Sequence, residues 1–195
     1  MQKKEDLRIR KTKANLYKGL LQLMEKKTFE DIKVTDICNI SLINRSTFYD
    51  HFNDKYELLA AFLEDLKKEL ITHLEVKKEV TNIKEYYLEL IKLLIDYIEK
   101  NINIYSSISI VKKNNNSIAY DMMLDAAQEA VTTHLKENYK NNSNVPLELI
   151  SLFYVSGVIK ICIEFLKEPT KYNHDELLNY IEKLIPDIDY LEPIK

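Results

Sequence analysis

The sequence has few of the residues that interrupt regular structure. It holds two glycines and four prolines in 195 residues, well below the roughly 7% glycine and 5% proline of average proteins. Turn-rich β architectures, phosphate-binding loops and dinucleotide fingerprints all depend on glycine. Gly19 and Gly157 both fall inside predicted helices. The shortage therefore argues against those folds and sites, and it favours a nearly all-helical chain.

Metal-binding and disulfide motifs are also missing from the sequence. The two cysteines, Cys38 and Cys162, stand in no paired motif, and HExxH and CxxC do not occur. None of the four histidines follows a glutamate by three residues, as the di-iron helix motif requires. No run of about 18 apolar residues marks a membrane span. We therefore expect no enzyme activity, no cofactor, no metal and no membrane partner, and we place the protein in the reducing cytoplasm.

Charge is spread unevenly along the chain. The whole sequence has 28 Lys+Arg and 31 Asp+Glu, a net charge of -3, yet the first 60 residues hold 12 basic and 9 acidic side chains. All three arginines, Arg8, Arg10 and Arg45, lie in that part. Because arginine binds phosphates and guanine edges through a planar fork, this distribution favours a nucleic-acid contact near the beginning of the chain.

The stretch from Lys33 to Lys55 has the pattern of a helix-turn-helix. A short helix with apolar spacing over residues 34–38 breaks at Ile40-Ser41-Leu42. A second short helix, Arg45 to His51, follows Asn44, a residue type that caps helices. On this second helix Phe48 is expected to face inward, while Arg45 and Tyr49 fall on the opposite side of the turn.

This stretch resembles the DNA-binding domain of the TetR family of bacterial transcriptional regulators. Members carry Ile-Ala, a turn, and then Thr-Phe-Tyr-x-His-Phe-x-x-Lys-x-x-Leu, which correspond here to Ile37-Cys38 and to the run from Thr47 to Leu58. Lys33 stands where a capping Thr is usual, at a cost of about 1 kcal/mol, and Leu42 replaces a common turn Gly. Family positions and side-chain chemistry together predict DNA contacts at Lys33, Thr35, Asn44, Arg45, Ser46, Thr47, Tyr49, His51 and Lys55.

The rest of the chain reads as further helices with a 3.6-residue apolar period. The predicted segments are 7–27, 55–74, 83–100, 104–112, 118–139, 146–167 and 174–184, with a loose tail after Pro186. The fold class is therefore all-α, with about nine helices. Residues 1–54 are predicted to form the helix-turn-helix DNA-binding domain, and residues 55–195 a helical effector-binding and dimerisation domain.

The two last predicted helices resemble the dimer-forming helices of TetR regulators, in the subfamily common in Firmicutes. The helix over 146–167 is apolar nearly all round, so it must be covered on several sides. Core packing within one chain is the alternative. The predicted dimer interface is Phe153, Ser156, Gly157, Lys160, Ile161, Leu178 and Ile181. Candidate effector-binding residues are Tyr86, Tyr87, Tyr97, Tyr105, Tyr120 and Met123, which a core stripe would explain equally well.

The sequence thus predicts a homodimeric regulator that binds a pseudo-palindromic DNA operator. The favoured hypothesis is a repressor. It would be released from the operator when a small-molecule effector changes the angle of the helix beginning at Lys55. One alternative is a TetR-like activator or co-activator. Another alternative is a helical adaptor that has lost DNA binding. Two observations favour it: the carboxylate of Asp50 repels phosphate, and the sequence pI is acidic, at about 5.9.

Overall fold

The computed structural model describes residues 7–24, 26–76, 83–100, 118–167, 173–185 and 189–194. This part of the chain is mostly helical, which confirms the predicted all-α class. Its helices are α1 Leu7–Met24, α2 Val34–Ser41, α3 Arg45–Tyr49, α4 Lys55–Val76, α5 Ile83–Lys100, α6 Ile118–Asn138, α7 Leu147–Lys167 and α8 His174–Leu184. Two short strands, β1 Tyr139–Asn141 and β2 Leu191–Pro193, pair antiparallel. The predicted segment 104–112 lies outside the described residues.

The described residues form two compact units. One contains the residues up to Glu64 together with Ile118–Asp121, and the other contains those from Asp65 to Lys100 and from Met122 onward. The boundaries fall inside α4 and α6, so each of these helices contributes its first residues to unit 1 and the remainder to unit 2. The predicted functional division at residues 54 and 55 stays a prediction.

Unit 1 is built on a core to which each of its first four helices contributes. Leu16, Ile37, Phe48 and Leu58, one from each helix, are 0% exposed. Cys38 is also buried, and burial raises the pKa of its thiol, which keeps the thiol protonated and inert. The amphipathic spacing seen in the sequence therefore places these side chains inward, as predicted.

The described residues of unit 2 form two apolar clusters. The first joins α5, α7 and α8 through Ile91, Ile95, Cys162, Leu177, Ile181 and Ile185. The second joins the start of α5, the end of α6 and β2 through Ile83, Leu135 and Leu191. Because α8 presents its apolar stripe to α5 and α7 of the same chain, much of the predicted interface stripe on α8 is already covered.

The antiparallel ladder was not predicted. Tyr139 pairs with Pro193 and Asn141 with Leu191, and the Ile194 N–H donates to the Asn138 carbonyl at 2.8 Å. The expectation of a loose tail after Pro186 is therefore wrong for residues 189–194. Burial of Leu191, 5% exposed, holds this segment against the start of α5 and the end of α6. No helix among the described residues is long and apolar enough to cross a membrane.

Candidate nucleic-acid interface

The turn between α2 and α3 contains one residue in the left-handed backbone conformation, and that residue is a leucine, Leu42. Leu42 has φ 55° and ψ 38°, a conformation that favours glycine. Its N–H donates to the Asn39 carbonyl at 3.3 Å, and the Ile43 N–H donates to the Cys38 carbonyl at 3.0 Å. These bonds form a Schellman motif that satisfies the last carbonyls of α2. The turn required for a helix-turn-helix is therefore present without its usual glycine.

The two sides of α3 differ sharply in burial. Phe48 is 0% exposed and Phe52 4% exposed, so both anchor the helix in the core. Arg45 and Ser46 are exposed, and Tyr49 is 49% exposed. Their placement agrees with the predicted inward and outward faces. Between these extremes, Thr47 and His51 are half-buried. The outer face of α3 thus offers a guanidinium, a hydroxyl and a phenol to a partner.

Asn44 occupies the N-cap position of α3 but does not cap it with its side chain. Its backbone is extended, at φ -66° and ψ 146°, and its carbonyl accepts from the Phe48 N–H at 3.0 Å. No side-chain cap hydrogen bond is made, which corrects the capping role expected for this residue. The exposed amide of Asn44 is therefore available to a partner.

The beginning of α2 is stabilised by an acid rather than by the residue at its N-cap. Lys33 holds the N-cap position, and its ammonium has no acceptor with which to cap. Instead its backbone N–H donates to the Asp36 carboxylate at 3.0 Å, and that carboxylate also pairs with Lys27. The hydrogen bond from Lys27, followed by that from the Lys33 backbone, lowers the pKa of Asp36. Lys33 keeps an exposed ammonium, and Thr35 beside it is half-buried.

Lys55, the first residue of α4, turns inward. Its Nζ donates to the carbonyls of Phe29 at 2.7 Å, Glu30 at 2.7 Å and Ile32 at 2.9 Å. The same nitrogen lies 4.9 Å from the centre of the Phe29 ring and 5.4 Å from that of Tyr56. Because an ammonium has three N–H bonds, these carbonyls account for all of them. This geometry differs from the phosphate contact that the sequence predicts for Lys55.

The residues expected at a dimer interface divide into exposed and covered groups. Phe153 is 74% exposed, Gly157 and Lys160 are exposed, and Ser156 is half-buried. The other three face the core of their own chain: Ile161 and Leu178 pack against the first apolar cluster, and Ile181 is 1% exposed within it.

Ile181 therefore has no surface left for a second copy, and we correct the set by leaving it out. The exposed apolar surface of α7 also includes Leu149 at 55% and Leu152 at 40%. The interface predicted from the sequence did not include these two residues, because the sequence of a helix that is apolar all round does not reveal which side its own chain covers.

Of the expected effector residues, Tyr86 and Tyr87 lie against the same histidine of α6. Tyr86 stacks on the His134 ring, with centroids 4.3 Å apart, and the Tyr87 hydroxyl lies 2.9 Å from His134 Nδ1. Tyr120 and Met123 are half-buried on α6. Tyr105 and the side chain of Tyr97 lie outside the described residues. A surface pocket at the start of α8, lined by Asn173, Asp175, Glu176 and Asn179, contains none of them.

Comparison with known proteins identifies the family to which this chain is similar. A family model described as the C-terminal region of a transcriptional regulator, of the TetR type, matches residues 85–187, more than half of the chain. The uncharacterized HTH-type regulator YxbF of Bacillus subtilis is 37% identical over 76 residues, 38% of this chain and 20% of that protein. The dhaKLM operon transcriptional activator DhaS of Lactococcus lactis is 31% identical over 106 residues, 53% of this chain and 51% of that protein. The chain thus spans about half the length of these relatives at most.

Solved structures share the fold over nearly the whole chain. A TetR-family regulator from Syntrophomonas wolfei has a TM-score of 0.68 at 17% identity, covering 90% of this chain and 93% of its own. The regulator FadR from Bacillus subtilis, solved in complex with stearoyl-CoA, has a TM-score of 0.61 at 14% identity, covering 88% and 96%. At these identities the likeness concerns the fold.

Proposed function

The chain belongs to the TetR family of transcriptional regulators, and from that premise we propose that it is a cytoplasmic, homodimeric, effector-responsive regulator that binds an operator through α3. The family and fold are those of regulators rather than of enzymes. The observation that carries the proposal is the exposed face of α3, where Arg45, Ser46 and Tyr49 stand opposite the buried Phe48.

The chemistry of this face suits base and phosphate contacts. Arg45 can fork onto O6 and N7 of guanine, and Ser46 can donate or accept at a base edge. Tyr49 can reach a phosphate. The proposed contact set also includes the neighbouring polar residues Lys33, Thr35, Asn44, Thr47 and His51. Arg45 is the member from which we expect sequence discrimination, because a bidentate contact distinguishes guanine from other bases.

The exposed apolar face of α7 supports a dimer. Three large apolar side chains of α7 are exposed, those of Leu149, Leu152 and Phe153. Their i, i+3, i+4 spacing places them on one face of the helix, and a second copy would remove them from water. Two copies related by a twofold axis would set their α3 helices in successive major grooves about 34 to 36 Å apart. The operator would then be a pseudo-palindrome.

The binding proposal is tested with Arg45→Ala in a gel-shift series on DNA selected by the protein from a random pool. We expect roughly tenfold or greater loss of affinity and relaxed preference at one base position of each half-site. Lys140→Ala is the matched control, since Lys140 is an exposed cation on β1 of unit 2. Equal affinity and equal sequence preference for Arg45→Ala and the wild-type protein would refute this role of α3.

A salt titration separates the regulator from the helical adaptor. Several phosphate contacts require log affinity to fall with log salt, at about 0.9 for each contact. A flat dependence, or no selected sequence at all, would favour the adaptor reading.

The direction of regulation has two candidates, repressor and activator. The Lactococcus lactis relative is an activator by name, so activation is the second candidate. A reporter gene under the selected operator decides between them, because removal of a repressor raises reporter expression and removal of an activator lowers it.

The effector is proposed to be a small molecule held by unit 2. One structural neighbour was solved with stearoyl-CoA, which makes long-chain acyl-CoA the first compound to try. A ligand that binds the folded state raises the melting temperature. Stearoyl-CoA is therefore compared with free coenzyme A in thermal unfolding, and release of the operator by the same compound would connect binding to regulation.

A further inference from the structure

Three backbone carbonyls converge on the ammonium of Lys55. They belong to Phe29, Glu30 and Ile32, in the connection between α1 and α2, and they lie 2.7, 2.7 and 2.9 Å from Nζ. The side chain passes beside the faces of the Phe29 and Tyr56 rings. Its charge is therefore shared among carbonyl dipoles and aromatic faces inside unit 1.

This environment leaves little of the ammonium for an outside partner. Burial lowers the pKa of Lys55, and the carboxylates of Glu30 and Asp31 oppose that shift. Each of the three N–H bonds has a carbonyl at ordinary hydrogen-bonding distance. A DNA phosphate could gain this ammonium only by displacing one of those carbonyls, which would then be left without its charged donor.

We call the contact of Lys55 Nζ with the Phe29, Glu30 and Ile32 carbonyls the clamp. The connection that the clamp holds leads directly into the helix-turn-helix. Phe29 and Ile32 are each 2% exposed and form part of the core of unit 1. Within the connection, the Asp31 N–H donates to the Thr28 carbonyl at 3.1 Å and the Ile32 N–H to the Phe29 carbonyl at 3.2 Å. Lys33, the N-cap of α2, is the next residue. The position of these carbonyls therefore sets where α2 begins.

A second contact holds the same connection. The Glu30 carboxylate accepts from the backbone N–H of Ile118, the first residue of α6, at 3.0 Å. The first residues of α4 and α6 thus both bind the segment that precedes α2. Both helices continue into unit 2.

We infer that Lys55 is a positioning residue that fixes the start of α2 to the start of α4, and that it is not a contact to DNA phosphate. The inference rests on the proposed DNA-binding function. It gives Lys55 an indirect effect on affinity, through the placement of α2 and of the α3 helix that follows. It also predicts that the requirement is for a compact ammonium, because a guanidinium spreads its N–H bonds in one plane over three nitrogens, whereas these three carbonyls converge on a single nitrogen.

The salt dependence of DNA binding separates the two roles. Lys55→Met is compared with Lys33→Met, an exposed lysine in the same region that belongs to the proposed contact set. Lys33→Met is expected to reduce the slope of log affinity against log salt by about 0.9. Lys55→Met is expected to weaken binding by about tenfold at every salt concentration, the equivalent of one lost charged hydrogen bond, with the slope unchanged. A slope reduced by Lys55→Met as much as by Lys33→Met would overturn the inference.

Lys55→Arg provides an independent comparison. A phosphate contact tolerates arginine, which binds phosphate at least as well as lysine. The clamp does not tolerate arginine, so Lys55→Arg should lose affinity for DNA as Lys55→Met does. Wild-type affinity in Lys55→Arg would contradict the clamp. Loss of cooperative unfolding in both variants would assign Lys55 to folding alone and would also overturn the inference.

Hydrogen exchange tests the clamp without DNA. The amides of Asp31 and Ile32 should exchange several-fold faster in both Lys55 variants, while amides of α7 in unit 2 keep their wild-type rates. If the wild-type protein bound no DNA, the proposed function would fail while this measurement still decided whether the clamp exists. Unchanged exchange at Asp31 and Ile32 would refute it.

Discussion

Leu42 holds a backbone conformation that is unfavourable for its residue type. Its φ of 55° places it in the left-handed region, which costs a residue with a Cβ about 1–2 kcal/mol relative to the right-handed one. Its side chain is 92% exposed and so gains little from burial. The Schellman motif at the end of α2 maintains the turn against this cost.

Replacing Leu42 with glycine is therefore expected to stabilise the protein. Leu42→Gly should raise the free energy of unfolding by about 1 kcal/mol, because glycine adopts positive φ without a steric penalty. Urea unfolding measures the change. Leu42→Ala is the control, since alanine also lacks the exposed side chain but keeps the Cβ. A gain of the same size in Leu42→Ala would show that the exposed leucine, and not the backbone, was responsible.

His134 links stability to pH through its burial. The ring is stacked on Tyr86 and paired with the Tyr87 hydroxyl at Nδ1, and burial lowers its pKa below the usual value of about 6.5. Between that lowered pKa and pH 6.5 the unfolded chain therefore binds a proton that the folded chain does not. The contribution to stability is complete above pH 6.5 and is lost as the pH falls through the lowered pKa.

We expect the free energy of unfolding to decrease as the pH falls from 7.5 to 5, by at most about 1.4 kcal/mol per pH unit from this residue. His134→Phe keeps an aromatic ring against Tyr86 and removes the titrating group. Urea unfolding at a series of pH values should show a shallower decrease for the variant. Identical pH profiles for the two proteins would exclude His134 as the cause.

At the scale of elements, α1 and α2 pack closely at Gly19. A Cβ placed on Gly19 would lie 2.9 Å from Ile40 Cγ2 and would overlap the Ser41 hydroxyl. That hydroxyl is buried and has no hydrogen-bond partner among the residues that the structure describes. Glycine in the middle of α1 is thus required by the approach of α2, although glycine weakens a helix by about 1 kcal/mol relative to alanine.

Gly19→Ala is expected to destabilise the protein by about 1–2 kcal/mol, because overpacking outweighs the gain in helix propensity. Thermal or urea unfolding gives the value. Adding Ser41→Ala removes the hydroxyl that the new methyl meets, so the double variant should recover part of the loss. No recovery would mean that Ile40 or the helix backbone, rather than Ser41, resists the methyl group.

The elements predicted well are those with long periodic patterns. The structure gives α5 and α8 the same bounds as the sequence, because their apolar stripes repeat over several turns. The strands β1 and β2 have three residues each, too few for an alternating pattern, and their pairing depends on residues far apart in the chain. The two faces of α3 were predictable from its 3.6-residue spacing. The inward turn of Lys55 was not, because a lysine suits a phosphate and a group of carbonyls equally well until the fold brings the carbonyls to it.

At the scale of the whole molecule, the exposed surface of α7 leads to a prediction about assembly. Phe153 is 74% exposed beside Leu149 and Leu152, and a few residues near the centre of an interface contribute most of its binding energy. Phe153→Glu should convert the proposed dimer to a monomer at micromolar concentration, since a carboxylate would be buried without a partner. Light scattering measures the mass.

Leu7→Glu is the matched control for this substitution, because Leu7 is 70% exposed but lies on α1. It should leave the mass unchanged. A monomeric mass for the wild-type protein, or a dimeric mass for Phe153→Glu, would contradict the proposed interface.

The pairing of β1 with β2 also bears on how the chain reaches its native state. Tyr139 pairs with Pro193, and α7 and α8 both lie between these two residues in the sequence. Closing this ladder therefore carries the entropy cost of a long loop. Contacts between distant residues form slowly, whereas helices form within microseconds. The ladder is therefore expected to be among the last parts of unit 2 to assemble and among the first to open, and partial unfolding would begin by exposing Leu191 and the end of α6.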